Sequence, residues 1–391
     1  MRELLGLDLA RAHLDRGGEL VLSYSGGKDS NATAMLLRRA GLPFRAVFAD
    51  TGWEHPEAYR YIREVAPDIL GQRVIEVRAE VNLIASANAY ADRIEKRGGR
   101  SMSVEDANAL ASVIRSEGVR KDAYAQAFEA ELGHYSAMLR TCLHKIMFPA
   151  QSLRWCTEEL KVWPIATWLD QNCDDPWIVQ GIRKEESRAR STMTLRETMK
   201  VRGVDIDQEI FRPLLDHTED DVIALHREMN TAPCAIYLWG ASRLGCWPCI
   251  YARKDEIARL EAFRIDFLAR LEGVIKELFA ARLDRTSGEG RDQAWFQMVE
   301  KVWQEPTGTT DPKPVQMVGE KTADFLKRRK AWELLAIGGY VDKHVCVPIN
   351  EVYQWSKTKH GGRQFQLFAP DDGCMKWGFC EHKNPPPLAT Q

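Results

Sequence analysis

The chain has 391 residues, of which 45% are hydrophobic and 28% are charged, and its formal net charge is −2. This length suits two domains or one domain with large insertions, and the composition is that of an ordinary soluble globular protein. Because no run of 18 or more apolar residues occurs and the N-terminus is charged throughout, we expect a cytoplasmic protein without a membrane span. The charge is weak evidence against nucleic-acid binding, since a local basic patch is compatible with it.

A glycine-rich loop between a short apolar run and a helical pattern is the first informative stretch. Residues 19–22 predict a buried strand, and the apolar side chains of residues 32–37 predict a helix. The loop and its edges supply Ser23, Ser25, Gly26, Gly27, Lys28, Asp29 and Ser30. A strand, glycine turn and helix in this order direct backbone N–H groups at an anion, and paired glycines let phosphate oxygens approach. The stretch therefore predicts a phosphate cradle, with an ordinary glycine turn as the alternative.

A second unit of the same kind follows. Residues 44–49 predict a strand that ends in Asp50, Thr51 and Gly52, and a helix is predicted to begin near Pro56. Repeated strand–loop–helix units indicate a parallel α/β sheet, whose sites lie at the carboxyl ends of its strands. We therefore expect these three residues beside the glycine loop. A helix cap and turn would favour the same residue types, and that alternative stays open.

A helical insertion is predicted over about residues 82–147, after a third strand at residues 73–77. Its basic side chains are Arg93, Lys96, Arg97, Arg100, Arg120 and Lys121. These charges could steer an anionic substrate, but a solvated helix face explains them equally well and is the preferred interpretation.

Another predicted strand, near residues 177–182, runs into a loop that is rich in arginine. Gly181, Arg183 and Arg188 belong to this loop. Arginine binds phosphate through two parallel hydrogen bonds and can stabilise the charge that builds on a leaving pyrophosphate. Arg183 is the best candidate for that role, whereas a solvated run of mixed charges that includes Glu185 and Glu186 is the alternative.

These motifs together resemble a known superfamily. The loop resembles the PP-loop of ATP pyrophosphatases, and Asp50, Thr51 and Gly52 resemble the segment that the phosphoadenosine phosphosulfate (PAPS) reductase branch places near the adenosine. Residues 154–164 resemble the R-x-C-T-x-x-L-K-x-x-P segment of that branch, and residues 181–190 its G-x-R-x-x-E-S-x-x-R pattern. The resemblance covers about residues 15–260.

The resemblance implies an α/β fold, namely a parallel-sheet adenine nucleotide α-hydrolase-like (PP-loop) domain with the helical insertion and a mixed C-terminal extension. We expect the PP-loop domain over residues 1–275, including cysteine-bearing segments at 151–169 and 245–250. Residues 276–391 form the extension, whose role the sequence does not reveal.

The cysteines predict sulfur or metal chemistry. Nine cysteines in a cytoplasmic chain point away from disulfides, and Cys246 with Cys249 forms a C-x-x-C pair, which is half of a metal site or a redox pair. With Cys156 the pair matches the layout of family members that carry an iron–sulfur cluster, which implies a [4Fe-4S] cluster here. Thr157 replaces one cluster cysteine of that family, so the fourth ligand is open. Its candidates are Cys142, Cys234, Cys374 and Cys380. An iron left open and a structural Zn²⁺ are the alternatives.

The intact loop favours ATP, bound with Mg²⁺, over PAPS or adenylyl sulfate (APS), which has no pyrophosphate to hold. We expect cleavage to AMP and pyrophosphate, with Lys28, Asp29 and Arg183 as catalytic residues, adenylation of an acceptor, and displacement of AMP by a sulfur nucleophile. The motif combination resembles DNA phosphorothioation proteins of the DndC/SspD type, which implies a cysteine desulfurase or other sulfur donor as partner and DNA as substrate; tRNA thiolation enzymes are similar more loosely. The alternatives are a thiol-dependent PAPS or APS reductase and a non-catalytic ATP-binding adaptor.

Overall fold

The computed structural model describes residues 4–100, 102–150, 154–201, 207–286 and 349–357. Two cysteines considered above, Cys374 and Cys380, lie outside the described residues. None of the described helices has the length and the apolar composition needed to cross a membrane.

A six-stranded sheet organises the fold. Its strands are β1 (Glu19–Ser23), β2 (Arg45–Ala49), β3 (Ile75–Val77), β4 (Pro176–Val179), β5 (Arg196–Met199) and β6 (Gln208–Phe211). They lie in the order β3-β2-β1-β4-β6-β5, and every pair is parallel except β5 with β6. The order reverses between β1 and β4, because the chain runs outward to β3 and then returns to the other side of β1. Sheets of this kind bind ligands at that reversal, beyond the carboxyl ends of the strands.

Helices cover the sheet and extend from it. They are α1 (Leu7–Asp15), α2 (Lys28–Arg39), α3 (Pro56–Arg60) and α4 (Ala66–Leu70) with a π-helical turn Tyr61–Val65 between them, α5 (Leu83–Glu95), α6 (Val104–Leu132), α7 (Ala137–Lys145), α8 (Trp155–Thr157) and α9 (Trp163–Asn172) with a π-helical turn Glu158–Val162 between them, α10 (Glu219–Glu228), α11 (Ala235–Leu238), α12 (Lys254–Ala258), α13 (Ala262–Thr286) and α14 (Ile349–Ser356). The predicted α/β class and the predicted helical insertion, which comprises α5, α6 and α7, are confirmed.

Strand β1 is buried on both faces, which explains its continuous apolar sequence. Leu20 and Leu22 pack into one core with α2, while Val21 points to the opposite face and packs with Leu169 of α9. Successive side chains of a strand alternate between faces, so a central strand of a parallel sheet needs apolar residues at every position. A further core joins α6, α7 and α13 around Trp53.

The C-terminal part of the described chain returns to the sheet domain. Helix α13 runs without interruption through residues 275 and 276, and α14 packs against α12 and α13. The backbone N–H of Ile349 donates to Glu272 Oε2 at 3.0 Å. The domain division at residue 275 stays a prediction, but at least this helix of the extension packs on the preceding unit.

Candidate functional site

The glycine loop joins β1 to α2 as predicted. Gly27 is the N-cap residue of α2, so the first turn of the helix directs its backbone N–H groups toward the loop. The Ser30 hydroxyl donates to the carbonyl of Gly27 at 2.8 Å, which holds the turn closed. Ser25 is exposed and Ser23 half-buried, while Gly26 and Gly27 are buried. The loop therefore has the geometry of an anion site at a helix N-terminus.

Lys28 has protein partners in this structure. Its Nζ lies 3.0 Å from Glu219 Oε1 and donates to the carbonyl of Ser242 at 3.1 Å. The Tyr237 hydroxyl accepts from the backbone N–H of Lys28 at 3.2 Å and from that of Leu244 at 3.1 Å. Residues 242–244 thus lie against the loop. An anion that enters the cradle would have to replace these contacts.

Asp29 and Arg183 form a buried ion pair beside the loop. Arg183 is 3% exposed, and its Nε donates to Asp29 Oδ1 at 2.5 Å. Burial raises the pKa of Asp29, although the charges of Arg183 and Lys28 oppose that rise. The structure therefore brings Lys28, Asp29 and Arg183 together, whereas Arg188 is exposed in the turn that follows.

Gly181 makes the Asp29–Arg183 contact possible. A Cβ atom at this position would lie 2.7 Å from the carbonyl oxygen of Asp29 and 2.8 Å from Thr33 Oγ1. Only glycine lets the chain that leaves β4 pass this close to the first turn of α2.

Asp50, Thr51 and Gly52 leave β2 beside the glycine loop. Tyr24 N–H donates to the Val47 carbonyl at 2.8 Å, so the two loops leave neighbouring strands at the same edge. Asp50 Oδ1 accepts from the Gly52 N–H at 2.8 Å and from the Tyr59 hydroxyl at 2.7 Å. The Asp50 carboxylate therefore holds a turn, as the alternative interpretation proposed, while the turn itself lies at the expected edge.

The C-x-x-C segment lies directly on this turn. Cys246 Sγ is 3.8 Å from Thr51 Oγ1, Cys246 forms a β-bridge with Glu54, and Trp247 N–H donates to the Trp53 carbonyl at 2.8 Å. Glu54 is buried and accepts from the Thr51 hydroxyl at 2.8 Å. Cys246 is therefore a neighbour of the sheet edge that carries the two loops, across almost two hundred residues of sequence.

Three of the predicted thiols line one cavity of about 370 Å³, which we call the thiol cavity. Its lining includes Cys156, Cys246, Cys249 and Lys161, with apolar walls from Trp53, Met138, Phe148, Pro248, Leu268 and Val352. Burial raises the pKa of Cys246 to about 12, against the opposing charge of Lys161, and burial likewise raises the pKa of Cys156. Lys161 therefore favours ionisation of thiols that burial keeps protonated.

A metal site is not seen among these groups. The described residues contain no set of three or more His, Cys, Asp or Glu side chains arranged to hold a metal ion. Cys142 is fully buried in α7 and is absent from the described lining of the thiol cavity. Its pKa is raised by burial, which disfavours the thiolate that a metal needs. The thiols of Cys156, Cys246 and Cys249 have the donor chemistry of an iron–sulfur site, but Cys142 is not among the described residues that line their cavity.

Several residues at the site had no motif around them. Tyr237 and Glu219 contact Lys28 from α11 and α10, and His226 Nε2 lies 3.0 Å from the Lys28 carbonyl. Glu54 follows Gly52 by two residues, and this closeness to the predicted Asp50–Gly52 turn is the one local signal for it. The others lie about two hundred residues beyond the loop they contact, so spacing could not have found them.

The chain is similar to several known proteins. An uncharacterized 37.8 kDa protein of Escherichia phage 186 is 28% identical over 362 residues, which are 89% of this chain and 91% of the phage protein. An uncharacterized protein of Methanocaldococcus jannaschii is 22% identical over 261 residues, 66% of this chain but 42% of the archaeal one. The crystal structure of a PAPS reductase from Candida auris, in a phosphate complex, aligns with 62% of this chain and 88% of its own, at 16% identity and a TM-score of 0.31.

Residues 19–252 match the family model of the phosphoadenosine phosphosulfate reductase domain. The match begins at β1, includes the glycine loop, and ends just after the C-x-x-C pair. It confirms the expected superfamily and its PAPS reductase-like branch. Because the matched residues make up more than half of the chain, the protein belongs to the phosphoadenosine phosphosulfate reductase domain family.

Proposed function

We propose that this protein cleaves ATP to AMP and pyrophosphate and uses the adenylated intermediate for sulfur transfer. The observation that carries the proposal is the complete glycine loop at the N-terminus of α2, where Lys28, Asp29 and Arg183 converge. An enzyme that acts on PAPS or APS has no pyrophosphate to hold and could dispense with this full set of donors.

In the proposed reaction, backbone N–H groups of the loop and the Lys28 ammonium bind the phosphates of ATP. An oxygen of the acceptor attacks the α-phosphorus, the bond to the bridging oxygen breaks, and pyrophosphate leaves with its electrons. Arg183, held by Asp29, stabilises the charge on the leaving group. Mg²⁺ bound with ATP would neutralise phosphate charge. A sulfur nucleophile then attacks the activated atom of the acceptor and displaces AMP.

The sulfur step rests on the thiols beside the nucleotide edge. Cys246 contacts Thr51, and Cys156 and Cys249 share its cavity. Together with the loop, these cysteines favour DNA phosphorothioation of the DndC/SspD type as the process, with a cysteine desulfurase as sulfur donor; tRNA is the second acceptor class. We include in the proposal a [4Fe-4S] cluster on Cys156, Cys246 and Cys249, with a fourth ligand other than Cys142 and with Zn²⁺ as the alternative metal.

A thiol-dependent PAPS or APS reductase is the second candidate, and the family match with the PAPS reductase domain favours it. A non-catalytic ATP-binding adaptor is the third. Release of sulfite from PAPS or APS with thioredoxin would identify the reductase, whereas the adaptor would bind ATP without releasing pyrophosphate.

The first proposal is tested by measuring pyrophosphate release from ATP with a coupled phosphatase assay. The reaction contains a nucleic-acid acceptor and a sulfur donor. We expect Asp29→Ala to lower the rate about a hundredfold, since Arg183 loses its anchor. Asp8→Ala is the matched control, because Asp8 also lies in the first turn of a helix but away from the site. Parent-like release by the Asp29 variant would contradict the assignment.

Anaerobic purification followed by iron, sulfide and zinc assays tests the metal. We expect iron and sulfide in comparable amounts, a visible absorbance band, and loss of both on replacing Cys246 by Ser. A colourless protein that carries zinc would contradict the cluster and would support a structural Zn²⁺ site instead.

A further inference from the structure

The basic residues of the helical insertion fall into two groups. Arg120 lies 3.5 Å from Glu277, and Lys121 lies 2.7 Å from Glu117, so both have carboxylate partners. The other four, which we call the basic tip, are Arg93, Lys96, Arg97 and Arg100, and all four are exposed. Among the described residues, no carboxylate forms an ion pair with a member of the basic tip. A solvated helix face therefore does not describe Lys121, which is 8% exposed, whereas it is the alternative for the basic tip.

Three of the four carboxylates that flank the tip in the sequence have side-chain partners. Arg115 reaches Asp92 at 2.7 Å and Glu95 at 2.6 Å, so its single charge offsets one of the two negative charges on α5. Asp106 accepts from the Ser103 hydroxyl at 2.6 Å and, with Glu105, lies in the first turn of α6, where negative charge stabilises the helix. With Arg115 included, this end of the two helices carries five positive and four negative side chains, so a small positive excess is left for a partner.

The tip belongs to an arm with its own core. Ala91 and Ile94 of α5 pack with Ala107, Ala111 and Ile114 of α6 in a cluster separate from the cores of the sheet domain. The two helices approach closely, because a Cβ at Gly118 would lie 2.3 Å from Ala87 Cβ. Because α5 and α6 share a core of their own, they form a rigid support for the basic tip at their end.

An aromatic ring continues the charge along one face of α5. Tyr90 is 48% exposed, and the guanidinium of Arg93 lies 5.7 Å from the centre of its ring. Positions 90 and 93 are three residues apart and share one side of α5, while Lys96, Arg97 and Arg100 lie in the turns that follow the helix. An exposed ring in line with arginines is the combination that stacks bases and pairs phosphates of unpaired nucleic acid.

The base of the arm lies at the nucleotide edge. Helix α5 follows the carboxyl end of β3, and α6 leads through Ser136 to α7, where Met138 N–H donates to the Thr51 carbonyl at 2.9 Å. The 13 residues of α5 span about 20 Å, which sets the distance over which the tip stands off from its base. A strand bound at the tip would therefore be held by an arm whose base contacts the Thr51 turn.

We propose that the arm binds a single-stranded nucleic-acid segment, with phosphates on the basic tip and a base stacked on Tyr90. This inference deepens the proposed function, because it supplies the acceptor class of the same site with a docking surface. It commits to unpaired nucleic acid, since an exposed ring contributes little to a stacked duplex.

The inference is tested by measuring the binding of a labelled mixed-sequence oligonucleotide by fluorescence anisotropy. The oligonucleotide is used both single-stranded and as a duplex, and ATP is left out. We expect Lys96→Ser/Arg97→Ser/Arg100→Ser to weaken single-strand binding at low salt by about tenfold or more, and to lower the slope of log affinity against log salt by about 2. Tyr90→Ala should weaken it about tenfold, whereas Tyr90→Phe should keep it.

Arg11→Ser/Arg16→Ser/Arg73→Ser is the matched control, because these three exposed arginines precede β1 and β3 at the opposite edge of the sheet. Equal losses in both triple variants, no binding by the parent protein, or tighter binding of the duplex with no effect of Tyr90→Ala would each overturn the proposal. Pyrophosphate release from ATP is measured separately in the parent protein, because the binding assay contains no ATP. Failure of that cleavage in the parent protein would therefore count against the proposed function alone.

Discussion

The Asp29–Arg183 ion pair depends on Gly181, a residue without a side chain. We expect Gly181→Ala to lower the free energy of unfolding by about 1–3 kcal/mol, because the new methyl group meets the backbone of Asp29 at 2.7 Å. Nucleotide binding should weaken at the same time, since the guanidinium of Arg183 would be pushed away from its carboxylate. Urea denaturation and ATP titration measure the two effects.

Gly245→Ala serves as the control for this change. A Cβ at Gly245 has no described atom within 4 Å, although the residue lies next to Cys246. If both variants lost equal stability, the close approach at Gly181 would not be the cause.

His226 makes the site sensitive to acid. The ring is fully buried, with Nε2 3.0 Å from the Lys28 carbonyl and Nδ1 3.2 Å from the Thr231 carbonyl, and burial lowers its pKa below the ordinary 6.5. The folded state then binds fewer protons than the unfolded state, so the free energy of unfolding falls as the pH drops below about 6.5. We expect a loss of about 1 kcal/mol between about pH 7.5 and pH 5.5, measured by urea denaturation.

The matched pair of variants for this prediction is His226→Gln and His134→Gln. Glutamine at position 226 cannot take up a proton, so the decrease between the two pH values should become smaller. His134 is exposed, and its replacement should leave the decrease unchanged. An unchanged pH dependence in His226→Gln would show that other groups cause the loss.

At the scale of elements, the sequence predicted those strands, turns and helix starts that depend on a few adjacent residues. The continuous apolar run of β1, the glycine turn and Pro56 at the start of α3 were all predicted, because each depends on a few adjacent residues. Strands β5 and β6 were not predicted, since β5 is largely exposed and joins the sheet through its pairing with β6. The contact between Cys246 and Thr51 could not be predicted either. It accompanies the β-bridge between Glu54 and Cys246, which are far apart in the sequence.

The arm is the element whose stability should be separable from the rest. Ile94→Ala removes a side chain that is 5% exposed in the core of the arm, and such truncations cost about 2–5 kcal/mol. Because this core is separate from those of the sheet domain, we expect faster amide hydrogen exchange in α5 and the first half of α6, with unchanged exchange in β1 and α2.

Val113→Ala is the control within the same arm, since Val113 is 45% exposed and its truncation leaves no cavity. Faster exchange in the sheet of the Ile94 variant would mean that the arm and the sheet domain unfold as one unit.

At the scale of the whole molecule, the chain closes its thiol cavity with distant segments. Cys156 comes from the start of α8, Cys246 and Cys249 come from a loop before α12, and Ile349 and Val352 of α14 complete the described lining. The function proposed for the sheet edge therefore depends on chain that the family match does not include, because that match ends at residue 252.

This closure leads to a prediction about the C-terminal helix. Val352→Asp places a charge among the apolar side chains that line the cavity, and burying that charge would cost more than the packing of α14 contributes. We expect α14 to detach and the thiols of Cys156 and Cys249 to react with a maleimide about tenfold faster, as measured by mass spectrometry of the labelled peptides. Gln354→Asp adds the same charge at an exposed position of the same helix and should leave both rates unchanged. Equal rates in Val352→Asp and the parent protein would mean that α14 does not control access to the cavity. A rise confined to Val352→Asp would instead establish that the extension shields the thiols on which the proposed sulfur transfer rests.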